Sequence, residues 1–227
     1  MSSMSMFKKG LVLWLKAPNN IDISGHGYKL DFLNGPYVSI GMKDNKYSGW
    51  YFDGNDDVIS INNTDKMIFT SGKLTIGFWI YPLDVGGDGT DKWILYKGYS
   101  NNGSFSFRFS SGESGTINCL FVGDSGGIKG AHPKNINTNE WVHITAKIDS
   151  ELLPMSYVNG KFYDISNSSI VGGITGAHKL QMGFGSGKAL HGYIDEIMIY
   201  NRSLSSQEIS NLYELGRKRL GGYKNYG

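Results

Sequence analysis

The sequence predicts an all-β fold, two packed antiparallel sheets with one short C-terminal helix, and three observations carry that prediction. Apolar and polar residues alternate in short runs, the pattern of strands with one face buried. The 32 glycines, together with Asn, Asp and Ser, separate those runs with turn-forming sequence. Helical periodicity is nearly absent before residue 204. At 227 residues a single all-β domain is the expected organisation.

Taken in order, strands are expected at 11–16, 49–52, 58–61, 73–81, 93–97, 104–110 and 116–122, then at 141–148, 155–158, 161–165, 179–184 and 190–201. In 73–81, Leu74, Ile76, Phe78 and Ile80 alternate with Thr75, Gly77, Trp79 and Tyr81, as in a long central strand with one face in the core. Gly77 leaves room there for a neighbouring segment. In 141–148, Val142, Ile144, Ala146 and Ile148 form the core face and Trp141, His143, Thr145 and Lys147 the more polar one. A structural role for His143 is favoured over a catalytic one. Asn159-Gly160 is the turn of a two-residue hairpin. In 190–201 both parities are apolar, Ile197 and Ile199 on one side, Met198 and Tyr200 on the other, so this strand is expected to be covered twice.

The one helix signal spans 204–216: Ser205 and Glu208 have capping-box spacing, Ile209, Leu212 and Tyr213 form an apolar stripe, and Gly216 is placed to end it. The domain is therefore drawn as 1–216, and 217–227, with Arg217, Lys218, Arg219 and Lys224 and no acid, as a flexible basic tail.

A formal net charge of +2 gives no field that favours nucleic acid as a partner. Cys119 is the one cysteine, so the fold must rest on packing, and its apolar strand makes it an inert core thiol. No stretch approaches the ~20 apolar residues of a membrane span, and no membrane partner is expected. The first nine residues lack an apolar run of signal-peptide length. The location expected is a virion surface, or the extracellular space after release.

Several segments, in register along nearly the whole chain, resemble the laminin-G-like branch of the concanavalin A-like lectin and glucanase superfamily. They are Gly10-Leu-Val-Leu-Trp-Leu15 with Asp22-Ile-Ser-Gly25, Trp50-Tyr-Phe-Asp-Gly-Asn-Asp-Asp-Val-Ile59, Leu74-Thr-Ile-Gly-Phe-Trp-Ile80, and the long segment from Gly192 to Ile209. Glu140-Trp-Val-His143 and Tyr157-Val-Asn-Gly160 fall between them. The resemblance implies a jelly-roll sandwich of the bacterial or viral type, because the disulfide usual in laminin's own modules has no second cysteine here. It leaves function open among lectin-like modules, adhesion domains, glycosidases, lyases and virion proteins.

Catalytic patterns are missing. Glucanases of this superfamily carry paired carboxylates as Glu-x-Asp-x-x-Glu, and the six glutamates here never make that pattern. Asp195 and Glu196 are adjacent, so a regular strand would point them to opposite faces; they read as structural hydrogen-bonders beside the helix. The five histidines lack metalloprotease spacing, and Gly185-Ser-Gly187 is not a nucleophile elbow. Asp53, Asn55, Asp56 and Asp57 crowd oxygen donors into one turn, and Asp195 is a candidate to join them, so Asp53, Asp57 and Asp195 are the expected ligands of a Ca²⁺ ion. An ordinary Asp-Gly turn is the alternative. For a glycan, Trp93, Tyr99 and Asn101 are the candidate contacts; burial of Trp93 in the sandwich is the alternative.

The expected function is a non-catalytic binding or attachment module, a virion surface or structural protein that binds glycan or a surface protein. The alternatives are an assembly protein that docks on itself or other virion proteins, and a glycan-degrading enzyme with an unorthodox site.

Overall fold

The computed structural model describes residues 7–18, 20–40, 48–98, 102–183 and 188–219. Among them run the strands Leu11–Leu15 (β1), Asp31–Leu33 (β2), Tyr37–Ile40 (β3), Ser48–Asp53 (β4), Val58–Ile61 (β5), Thr75–Pro82 (β6), Lys92–Lys97 (β7) and Ser104–Phe109 (β8). There follow Ile117–Val122 (β9), Ile128–Ala131 (β10), Val142–Ile148 (β11), Pro154–Val158 (β12), Lys161–Ile165 (β13), Leu180–Met182 (β14), Lys188–Ala189 (β15) and His191–Tyr200 (β16). One helix, Ser206–Arg219 (α1), closes the order. All twelve expected strands are present. The additional four, β2, β3, β10 and β15, are only two to four residues long, too short for alternation to mark them.

The strands form two antiparallel sheets. The first has the order β13-β12-β11-β6-β16-β4-β3, with β1 also paired to β16; the second has the order β10-β9-β8-β7-β14-β5-β2, with β15 parallel to β7. Between them lies an apolar core that includes Trp50, Phe52, Phe78, Phe105, Phe107, Phe109, Phe121 and Ile194. Phe78 of the first sheet meets Phe107 of the second edge to face at 5.3 Å, an arrangement that aligns positive ring edge with negative ring face. Cys119 lies in this core, where burial pushes its thiol far above the usual range, so it stays protonated and inert.

The hairpin between β12 and β13 turns at Asn159 (φ 49°) and Gly160 (φ 75°), the left-handed pair that the dipeptide predicts. In β16 the pairing to β6 slips between Asp195 and Met198, and Glu196 takes a φ of 50°. This is a β-bulge, one extra residue on one strand.

Helix α1 starts as expected: Glu208 N–H donates to Ser205 Oγ at 3.2 Å and Ser205 N–H donates to Glu208 Oε2 at 2.8 Å. Its end differs. The helix runs through Gly216 to Arg219, so the first three residues assigned to the tail are its last turn. Gly216 is buried, and a Cβ there would fall onto the Trp79 indole; glycine at this point serves close approach of helix to sheet. Arg219 is held by Asp195 and Glu196, which anchors the extra turn. The rest of the proposed tail, 220–227, lies outside the described residues.

Candidate functional site

The outer face of the first sheet is divided in two. Helix α1 roofs one half: Leu11, Tyr157, Met198, Tyr200, Leu204, Ile209 and Leu212 make a second apolar cluster, and Tyr213 stacks on Trp79 at 5.5 Å. The other half carries a row of aromatic rings. Because Trp50, Phe52, Ile80 and Ile194 point into the core, their neighbours Tyr51, Tyr81 and Tyr193 point out, and so does Tyr37, beside inward-packed Val38.

Strand register brings these outward rings side by side. Tyr37 is paired with Tyr51, Tyr51 with Tyr193, and Tyr193 with Tyr81. Trp141 comes next to Tyr81, since Val142 is opposite Ile80. Successive ring centroids lie 5.1 Å, 5.0 Å, 5.9 Å and 5.7 Å apart, so five rings cross five strands at right angles to the chain direction. Tyr37, on the edge strand, is 55% exposed, whereas Trp141 is only 7% exposed. Tyr51, Tyr81 and Tyr193 are half-buried. Trp141 lies down along the sheet toward β4, where a Cβ at Gly49 would sit 3.1 Å from its ring. The sequence carried a signal for this row, Tyr or Trp at the outward parity of four strands, but only register places the rings together.

One rim of the row is polar. Two residues beyond Tyr51 is Asp53, paired with His191, which is itself two residues before Tyr193. The carboxylates of Asp53, Asp56 and Asp57 lie within 4.8 Å of one another. Asp53 accepts Asn55 N–H at 2.8 Å and the Asn55 amide at 2.9 Å, which holds its pKa below the usual value; Asp57 Oδ2 accepts Asp53 N–H at 2.9 Å, and burial raises Asp57. Hard carboxylate oxygens suit Ca²⁺, which takes six to eight oxygen ligands drawn from carboxylates, carbonyls and water, but a cation here would compete with the turn's own hydrogen bonds.

Asp195 does not join that cluster. It sits four residues along β16 from the Asp53 pairing, fully buried, accepting Ala17 N–H at 2.8 Å and paired with Arg219. The expectation that Asp195 and Glu196 face opposite ways fails as well, because the bulge turns both carboxylates toward one guanidinium. Their structural role beside the helix stands. Burial, outweighing Arg219, raises the Asp195 pKa from 3.8 to about 6. His143 is likewise structural: it lies under the helix against Trp79 at 5.2 Å, and burial lowers its pKa from 6.5 to about 3.

Of the expected glycan contacts, Trp93 is 1% exposed on the outer side of the second sheet, capped by the Arg108 guanidinium at 5.0 Å and the Tyr96 ring at 5.1 Å. A ring covered in this way offers no face to a ligand, so the burial alternative holds for it. Tyr99 and Asn101 lie outside the described residues.

Among solved structures, the chain is similar to the binding domain of Paraclostridial Mosquitocidal Protein 1, with 20% identity and a TM-score of 0.73, over 92% of this chain and 53% of that one. It is similar to the botulinum neurotoxin serotype D ligand binding domain in complex with N-acetylneuraminic acid, with 17% identity and a TM-score of 0.76, over 94% and 52%. A structure of botulinum neurotoxin type C, whose cell entry is dependent upon interaction with two ganglioside molecules, matches with 15% identity and a TM-score of 0.73, over 94% and 53%. The chain thus spans about half the length of the structures it matches, and at this identity the likeness is one of fold. No curated protein matches the sequence. A laminin-G model, described as concanavalin A-like lectin/glucanases superfamily, matches residues 53–210, more than half of the chain, and the chain belongs to that superfamily.

Proposed function

We propose that this chain is a non-catalytic carbohydrate-binding module and that it contacts its ligand through Tyr37, Tyr51, Tyr193 and Tyr81, with the buried Trp141 packed against Tyr81 as their support. The row is the observation that carries the reading: a sugar presents apolar C–H faces and hydroxyls, and a tyrosine offers a ring to the first and an O–H to the second. Of the similar structures, one is bound to N-acetylneuraminic acid and one belongs to a toxin that interacts with gangliosides, which supports the ligand class for chains twice as long as this one. The non-catalytic part is supported by Asp195 and Glu196, adjacent acids spent on Arg219 rather than aimed at a cleft. A calcium ion, within the same proposal, would bind at Asp53, Asp56 and Asp57 on the rim. Attachment to a host or virion surface is the proposed setting.

The test is a glycan array probed with the intact chain and with the Tyr51→Ala/Tyr193→Ala double variant. Binding is expected for wild type and a loss of about tenfold or more for the variant, with circular dichroism unchanged. A variant that binds like wild type removes the row from the proposal, and an array with no positive spot removes the carbohydrate reading.

Self-assembly is a second reading with its own observation. Edge strand β13 exposes Phe162 (53%), Tyr163 (39%) and Ile165 (42%), and an edge of this kind invites pairing with another strand. Light scattering on wild type and on Phe162→Lys/Ile165→Lys distinguishes it; a wild-type monomer ends this reading.

A further inference from the structure

We infer that the chain carries a second ligand site, a polar cavity at the far end of β5 that takes a small carboxylate bearing a hydroxyl or ammonium group beside it. The inference goes beyond the carbohydrate reading and uses none of the aromatic row. Strand β5 starts at Val58, next to the acidic turn, and ends at Ile61. A cavity of about 150 Å³ opens there, between residues 26–29 and residues 61–66. That is room for one small molecule.

Both walls are built. Asp22 fixes the first: its carboxylate accepts Trp14 N–H at 3.1 Å, Ser24 N–H at 2.8 Å, Gly27 N–H at 3.1 Å and Tyr28 N–H at 3.4 Å, so its charge is spent within the loop. His26 Nε2 reaches the Leu11 carbonyl at 3.2 Å and ties the same loop to β1. In the second wall the Thr64 hydroxyl donates to the His178 carbonyl at 2.7 Å, and Met67 is anchored in the core. Lys66 Nζ donates to the His26 carbonyl at 3.1 Å and joins the two walls.

What the walls leave unused defines the ligand. Tyr28 lines the cavity and is only 9% exposed, yet its hydroxyl has no hydrogen-bond partner among the described residues, a state that buried polar groups rarely keep. Burial, with Asp22 and Asp65 adding to it, pushes this hydroxyl up to about 12, so it keeps its proton and can donate. Lys29 and Lys66 also line the cavity, and neither makes an ion pair among the described residues. Asp65 is the acid on the wall. Its N–H donates to Asn63 Oδ1 at 3.0 Å, and its carboxylate accepts no hydrogen bond among the described residues. Two ammonium groups and a phenol call for anionic oxygens, and a free carboxylate calls for a donor on the same molecule. A bare anion would face Asp65 without a partner for it. A neutral polyol would leave both lysines unmet.

The experiment is an NMR titration of the intact, isotope-labelled chain with glycerate and with serine, and with propionate and glycerol as comparators that carry the carboxylate alone and the hydroxyls alone. Glycerate or serine is expected to bind about tenfold or more tightly than either comparator and to shift amide signals in 26–29 and 61–66. Which of the two binds better tells hydroxyl from ammonium. Tyr28→Phe keeps the ring in the core and removes only the hydroxyl, so it should lose about tenfold in affinity while its Tm is unchanged or higher. Lys66→Met should weaken binding by a similar factor, and added salt should weaken it in wild type. The Tyr51→Ala/Tyr193→Ala variant should bind these probes like wild type, which keeps this site separate from the aromatic row. A comparator that binds as tightly as glycerate and serine, silence from both of these, or full affinity in Tyr28→Phe overturns the inference. So does loss of binding in the Tyr51→Ala/Tyr193→Ala variant.

Discussion

Asp195→Asn should make the protein more stable as the pH rises, relative to wild type. The Asp195 carboxyl is fully buried, and burial raises its pKa from 3.8 to about 6 although Arg219 favours the ionised form. A carboxyl whose folded pKa lies above its unfolded value binds its proton more tightly in the folded state. It therefore costs nothing below about pH 4, and its cost grows as pH rises from there, levelling off above about 6. The separation of the two values corresponds to about 3 kcal/mol in full, of which about 2 kcal/mol develops between about pH 4.5 and about pH 7. Asparagine keeps an acceptor for the Ala17 amide and cannot ionise. The wild-type profile alone will not show the effect, because His143 acts in the opposite sense over part of the same range. The assay is urea denaturation of wild type and Asp195→Asn across that pH range, read as the difference between them. The difference should move by about 2 kcal/mol in favour of the variant toward neutral pH. A difference flat with pH would refute the reasoning, since it would mean that Arg219 keeps Asp195 ionised throughout.

His143 has its folded pKa lowered to about 3 by burial, so its stability contribution is present above pH 6.5 and lost as pH falls toward 3. Its Nδ1 has no hydrogen-bond partner, and His143→Leu should therefore gain about 2 kcal/mol on wild type between about pH 7.5 and about pH 5, measured by the same denaturation; an unchanged gap contradicts a buried neutral imidazole. Gly216→Ala places a methyl on Trp79 and should cost on the order of 2 kcal/mol, a fall in Tm of roughly 4–8 °C by scanning fluorimetry. A Tm equal to wild type would mean the helix does not approach the sheet so closely. Calcium at ten times its Kd should stabilise by about 1.4 kcal/mol, and Asp56→Asn should abolish the gain. Identical melting in calcium and in chelator denies the ion at Asp53, Asp56 and Asp57.

Fold class, strands and helix start were legible because each rests on local pattern: alternation in 73–81 and 141–148, Asn159-Gly160, and the reciprocal cap of Ser205 and Glu208. The site was not, because it depends on register. Tyr37, Tyr51, Tyr81 and Tyr193 are far apart in sequence, and no local rule says that they fall on one line across the sheet. Trp93 misled in the reverse way, since its cover, Arg108, comes from the neighbouring strand. The reading of Gly216 applied a rule about helix ends to a residue chosen for contact across the sheet.

The bulge at Asp195–Glu196 sets how the protein can tolerate change. Upstream of it Ile194 points inward; downstream, Ile197 and Ile199 point inward and Met198 and Tyr200 meet the helix, and that pattern holds only because one extra residue resets the alternation. Point substitutions in this stretch act locally. Deleting Glu196 would remove that extra residue and leave Asp195 opposite Trp79, Ile197 opposite Phe78 and Met198 opposite Gly77. Ile197 and Ile199 would then stay inward and Met198 and Tyr200 under the helix, whereas a deletion downstream of the bulge would send the residues beyond it to the wrong face. The strand should therefore accept the loss of one residue at the bulge more readily than a loss anywhere else along it, and a deletion scan should find its most permissive position here.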